Sequence, residues 1–176
     1  MLYPDKNLVN ADWLKRMRIR PFKISDAKAC YRIRTESFVK IFYDKIGLGG
    51  VVAAVNDYQP EDFVNLAEDN PIYVVERGGK AAAFISGIYR DEKTVEVLFL
   101  YVRLCCRRQG IGSRLLRFFE DEMRENNEID KIILNCAFPE YNYTFFDKMG
   151  YHKKSEGRCS YSGLELEALR LEKKLD

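Results

Sequence analysis

Six residues, Arg107-Arg108-Gln109-Gly110-Ile111-Gly112, carry the densest chemical signal in the chain. An apolar stretch at 95–103 precedes them and an amphipathic one at 110–126 begins with them. A buried strand that runs through glycines into a helix makes an anion site. The first N–H groups of the helix lack partners, and the helix dipole favours negative charge beside them. Gly110 and Gly112 have no Cβ, so a phosphate can approach the backbone closely. Arg107 and Arg108 add charge for peripheral phosphates. The competing reading is an ordinary strand–helix turn with exposed arginines. Two better-known phosphate loops are excluded. A Walker loop ends in Gly-Lys-Ser/Thr, whereas Gly112 precedes Ser113-Arg114. A dinucleotide fingerprint needs a third glycine where this chain has Leu115.

Glu96 is the one charged residue within 95–102. A carboxylate on a buried strand is costly unless it is paired or near water. Such a group suits a general base, and it suits a structural ion pair equally. Cys105 and Cys106 sit beside the loop with no visible base partner, which argues against a nucleophile. Their side chains should diverge if the strand continues through them. The five cysteines (Cys30, Cys105, Cys106, Cys136, Cys159) are odd in number, and none has the spacing of a metal knuckle. They read as reduced thiols of a cytoplasmic protein. With His152 as the single histidine, no metal site is expected.

The elements that must hold these residues follow from hydrophobic period and turn chemistry. Residues 17–22 alternate apolar and basic, as an edge strand does. Ser25 can cap a helix with Asp26 in its first turn. That helix covers 26–43 through Cys30, Ile33, Ser37 and Ile41, and Gly47, Gly49 and Gly50 break it. Pro60 opens a second helix, which stops before Asn70-Pro71. Strands are expected at 72–77, 80–90 and 94–103, with Gly78-Gly79 turning the first into the second. A helix at 110–126 carries the stripe Leu115, Leu116, Phe119 and Met123. A strand at 131–136, a helix at 139–149 closed by Gly150, and a strand pair at 151–158 and 164–173 complete the chain. The order is β-α-α-β-β-β-α-β-α-β-β. It defines an α/β fold with a mixed sheet and helices packed on it.

With 176 residues, the chain suits one domain over 1–176. A net charge of +2, from 29 basic and 27 acidic residues, gives no bulk attraction for nucleic acid. The longest apolar runs are too short to span a bilayer, and residues 1–10 lack the apolar core of a signal peptide. Neither a nucleic-acid nor a membrane partner is expected.

At this point a family resemblance becomes visible. Leu100-Tyr101-Val102-Arg103-Leu104-Cys105-Cys106-Arg107-Arg108-Gln109-Gly110-Ile111-Gly112-Ser113-Arg114-Leu115-Leu116 resembles motif A of the GNAT superfamily of N-acetyltransferases. That motif is a strand, then Gln/Arg-x-x-Gly-x-Gly/Ala, then a helix. Arg107, Gly110 and Gly112 stand at its defining positions. Phe146-Asp147-Lys148-Met149-Gly150-Tyr151 resembles the later aromatic-Glu-Lys-x-Gly-Phe signature of the same superfamily. The element order matches over residues 17–173.

The resemblance implies a GNAT-like fold and acetyl-CoA as acyl donor, without a metal. It implies transfer of the acetyl group to a small-molecule or peptide amine, with a homodimer as the family's common assembly. Acetyl-CoA would lie in a split between the strands at 94–103 and 131–136. Backbone groups of Tyr101 and Val102 would pair with the pantetheine arm, and the Val102 N–H would face the thioester oxygen. Backbone N–H groups of Arg108, Gln109, Gly110, Ile111, Gly112 and Ser113 would hold the pyrophosphate. Glu96 stands where several members keep a general base. The usual acid, a tyrosine, is replaced here by Phe146. Tyr143, with Asn142, is the substitute considered, and packing is its alternative role. Tyr31, Arg34, Phe38 and Tyr43 fall on the helix that often walls the acceptor. A CoA-binding regulatory module without turnover, and a transferase of a longer acyl group, are the alternative functions.

Overall fold

The computed structural model describes residues 17–161 and 164–175. The charged stretch at 1–10 and Arg16 lie outside them. The elements are β1 (Met17–Pro21), α1 (Ala27–Asn56), α2 (Pro60–Asp69), β2 (Ile72–Arg77), β3 (Lys80–Asp91), β4 (Thr94–Val102), α3 (Ile111–Asn127), β5 (Lys131–Ala137), α4 (Pro139–Lys148), β6 (His152–Tyr161) and β7 (Leu164–Lys174). This is the expected order, element for element. The strands form one mixed sheet in the order β1-β2-β3-β4-β5-β7-β6. Among the described residues, only β4 and β5 run parallel.

Alternation along β3, shifted by a bulge at Ala82, divides the core between the two faces of the sheet. Ala83 and Ile85 pack under the α3 stripe of Leu115, Leu116, Phe119 and Met123. Ala81 and Phe84 face the other way, onto Cys30 and Ile33 of α1 and Phe63 of α2. Each large apolar side chain buried this way contributes about 1.5–3 kcal/mol relative to exposure. Gly87 lets α3 lie close to the sheet, because a Cβ there would come within 2.8 Å of both Phe119 Cζ and Val95 Cγ2.

Three local expectations are corrected. Helix α1 does leave helical geometry at Gly47 (φ 63°, ψ −175°), where the glycines are expected to break it, but a second helical stretch follows and runs to Asn56. The glycines produce a kink, after which Val51 is buried again. Ser25 makes no cap. It lies in a 3-10 turn, Ile24–Asp26, which the Asp26 carboxylate closes by accepting from the Lys23 N–H at 2.9 Å and from Arg20 at 2.6 and 3.0 Å. Finally, the strand stops at Val102, and Leu104–Cys106 forms a 3-10 turn. Cys105 and Cys106 therefore do not diverge: their sulfurs lie 3.7 Å apart.

Candidate active site

The site begins with one surplus residue. Ser86 of β3 pairs with Phe99, but Gly87 pairs with Val97, so Leu98 is an extra residue in β4. Such a bulge bends and over-twists its strand. Parallel pairing with β5 covers residues 94–97 of β4 and 131–134 of β5, and it ends where the bulge begins. Beyond it, β5 stays with β7 while β4 bends away. A cleft of about 1070 Å³ opens between them, walled by α1, by the loop after β4 and by α4.

Hydrogen-bond alternation decides which backbone groups enter this cleft. The Arg103 N–H donates to Ala82 O at 2.9 Å, and Val102 pairs opposite Ala83. Arg103 and Tyr101 therefore turn their N–H and C=O groups toward β3. Val102 and Leu100 turn theirs toward the split. The backbone of Tyr101, expected to face an extended arm, is directed to Phe84 instead. Leu100 takes its place beside Val102, and Tyr101 lines the cleft with its ring. The Val102 carbonyl accepts from Ser37 Oγ at 3.4 Å and from Arg107 Nε at 3.1 Å.

The glycine loop has the backbone an anion needs. Gly110 is left-handed (φ 78°) and forms the N-cap of α3, as no side chain does. Arg108 is also left-handed (φ 60°). The first helical bond runs from the Arg114 N–H to Gly110 O at 3.0 Å. The N–H groups of Ile111, Gly112 and Ser113 are thus the donors a helix leaves open. All three residues line the cleft, as do Arg108 and Gly110. A Cβ on Gly112 would meet Phe145 and Val102 at an ordinary 3.7 Å.

Two loop side chains serve the loop itself. Arg107, expected to meet phosphate, folds back to the Val102 carbonyl, and burial pulls its guanidinium pKa below the ordinary value. Gln109 Nε2 donates to Cys105 O at 3.2 Å.

Glu96 lies on the cleft wall, 4% exposed. Its Oε1 accepts from Asn135 Nδ2 (3.0 Å) and from one Arg170 nitrogen (2.9 Å). Its Oε2 accepts from Arg90 Nε (2.7 Å) and from the other Arg170 nitrogen (3.3 Å). A carboxylate offers about four lone-pair sites, and these donors fill them. The ion-pair alternative is thus present in the structure. Any proton transfer to Glu96 first requires a donor to leave.

Helix α4 presents Tyr141, Asn142, Phe145 and Phe146 to the cleft. Tyr143 is not among them. It packs against the sheet core, with its hydroxyl 3.5 Å from Asp147 Oδ1. On α1, Arg34 and Phe38 line the cleft, whereas Tyr31 packs in the core and Tyr43 is exposed. Arg34 is 1% exposed, its guanidinium carbon 5.3 Å from the Tyr58 ring centre and 5.4 Å from that of Phe99. Sequence reasoning missed Arg90, Asn135 and Arg170 around Glu96, and Tyr58 beside Arg34. A basic or amide residue in a strand carries no such signal until the sheet brings it next to the carboxylate.

A strand-wide gap that ends at an uncapped helix N-terminus fits an extended ligand with phosphates at one end. Residues 28–151 match the Acetyltransferase (GNAT) family, and the chain belongs to that family. Solved structures share the fold. An N-acetyltransferase, PaiA, from Thermoplasma acidophilum in complex with coenzyme A superposes with a TM-score of 0.77 at 19% identity, covering 90% of this chain and 98% of that one. The ribosomal-protein-S18-alanine N-acetyltransferase of Escherichia coli gives 0.69 at 17% identity, covering 91% and 94%. YncA of Salmonella typhimurium with its cofactor acetyl-CoA gives 0.68 at 18% identity, covering 91% and 94%. No curated protein sequence matches the chain. Among the described residues, no group of three or more His, Cys, Asp or Glu side chains could hold a metal ion. No helix among them is long and apolar enough to cross a membrane.

Proposed function

We propose that the chain is an acetyl-CoA-dependent N-acetyltransferase that passes the acetyl group directly to a small-molecule or peptide amine. One observation carries the reading: a single cleft holds the inward Val102 N–H and the open N–H groups of Ile111, Gly112 and Ser113. Two similar structures contain coenzyme A or acetyl-CoA, which supports it. When bound, acetyl-CoA would supply a thioester carbonyl as electrophile and a thiolate as leaving group.

The chain's residues do the rest. The α3 N-terminus holds the pyrophosphate, as helix dipole and open N–H groups favour. Leu100 and Val102 take the arm as sheet edges take a strand. The Val102 N–H donates to the carbonyl oxygen as negative charge develops there. Arg107 holds that peptide in place through the Val102 carbonyl. The walls orient the amine beside the carbonyl carbon. Glu96 accepts the amine's proton at Oε2 once Arg90, the more exposed of its two arginine partners, moves away.

The direct test is calorimetry with acetyl-CoA, followed by thiol release across a panel of amines. Binding should be 1:1, and ligand at 100 times its Kd should stabilise the fold by about 2.7 kcal/mol. No heat and no thermal shift at millimolar concentration would overturn the reading. Binding without turnover on any amine would favour a regulatory module. Tighter binding of a longer acyl-CoA would move the donor.

Departure of the thiolate needs no acid from α4. A thiol titrates near about 8.5, so its anion leaves readily, and the Tyr143 hydroxyl is turned to Asp147. Tyr143→Phe should leave the single-turnover rate of thiol release within about twofold of wild type. A tenfold slowing with unchanged acetyl-CoA affinity would restore Tyr143 as the acid.

A further inference from the structure

We infer that Cys105 and Cys106 are a thiol-modification site, at which a peroxide closes the pair into a disulfide ring that disables the anion loop. The inference rests on the proposed role of that loop as the pyrophosphate cradle. The 3-10 turn at Leu104–Cys106 sets the two sulfurs 3.7 Å apart. Cys105 is exposed to a small oxidant, while Cys106 is buried in the cleft wall. Burial pushes the Cys106 thiol pKa up, so Cys105 is the first to react.

The same turn is stapled to the loop. Cys106 N–H donates to Arg103 O (2.8 Å) and Arg107 N–H to Leu104 O (3.3 Å). Gln109 Nε2 donates to the Cys105 carbonyl, and Arg107 Nε to that of Val102. Adjacent Cα atoms lie about 3.8 Å apart, short of the roughly 4.4–6.8 Å a relaxed disulfide spans. No φ or ψ rotation lengthens that separation, so closing the ring, which must also draw the sulfurs from 3.7 Å to bonding distance, strains the 105–106 peptide and displaces it from its turn. The bonds that aim the Cys105 carbonyl and Arg107 loosen with it, and the loop loses its shape.

The chemistry balances with hydrogen peroxide. The Cys105 thiolate attacks one peroxide oxygen, the O–O bond breaks, and the leaving hydroxide takes up the proton the thiol released, giving Cys105 sulfenic acid and water. The Cys106 sulfur then attacks the Cys105 sulfur, the S–O bond breaks, and a second water leaves. Two thiols are oxidised and one peroxide is reduced to two waters. A strained ring of this kind is easily reopened by thiols, which makes the change reversible.

The test uses the full chain, reduced or treated with hydrogen peroxide, and acetyl-CoA as probe because it has no free thiol. Peptide mapping should find a 105–106 linkage, two hydrogens lighter than the dithiol. Acetyl-CoA affinity should fall at least tenfold and return with dithiothreitol. Cys105→Ser should keep its affinity through the same treatment. No linkage, a linkage with unchanged affinity, or loss of binding in Cys105→Ser as in wild type would each overturn the inference. Reduced wild type that fails to bind acetyl-CoA would instead defeat the cradle reading, and mapping would still decide whether the ring forms.

Discussion

Gly112→Asp should weaken acetyl-CoA binding by about 10²–10³-fold, roughly 3–4 kcal/mol, while leaving the empty protein as stable as wild type or slightly more so. The two effects have opposite signs because they have different causes. In the empty protein a Cβ at 112 meets Phe145 and Val102 at 3.7 Å, an ordinary contact. The new carboxylate also sits in the first turn of α3, where negative charge interacts favourably with the dipole. A bound pyrophosphate would need that same space, and two like charges would then share one helix end. Gly112→Ala separates shape from charge. Arg107→Ala should cost less than Gly112→Asp, because Arg107 acts through the Val102 carbonyl. Calorimetry and thermal melts on the three variants provide the check. A larger loss in Arg107→Ala would mean that side chains, not the backbone, hold the phosphates.

Glu96→Gln should slow turnover about 10²–10⁴-fold with acetyl-CoA affinity within a few-fold of wild type, as for loss of a proton acceptor. It should also lower stability modestly. The side chains of Arg170 and Arg90 are 32% and 46% exposed, so water screens much of what each pair contributes. Arg90→Ala separates the two roles: it removes a donor from Oε2 but keeps the carboxylate, so turnover should be retained. Single-turnover rates and melting curves on both variants decide the matter. Glu96→Gln at wild-type rate, with only a lowered melting temperature, would make Glu96 an anchor for Arg170 and Asn135 and nothing more.

What the sequence disclosed follows from what each signal depends on. The anion loop was legible because glycine spacing between a strand and a helix is local, and its main actors are backbone groups. Glu96 was legible as a lone charge in an apolar strand. Its partners were not: Asn135 and Arg170 reach it from 39 and 74 residues away, through strands that only the sheet order makes neighbours. Tyr143 illustrates a different limit. A three-residue step on a helix turns a side chain by about 60°. Phe146 stands at the margin of the face formed by Tyr141, Asn142 and Phe145, so that further turn carries Tyr143 off it. The break at Gly47 is legible but the helical stretch after it is not, because propensity records where helices weaken, whereas buried contacts such as Val51 decide where they resume.

The surplus residue at Leu98 makes the cleft depend on counting more than on composition. Every inward backbone group beyond it owes its direction to how many residues separate it from the last β4–β5 pair. Substitutions along β4 can accumulate without closing the gap, provided the face toward the core stays apolar. A single deletion there would do what many replacements do not. It would remove the bulge and let the parallel ladder run past position 97, while the rest of β4 kept its pairing with β3. For this stretch of chain, length is the inherited quantity, and a gap in an alignment would carry more meaning than a mismatch.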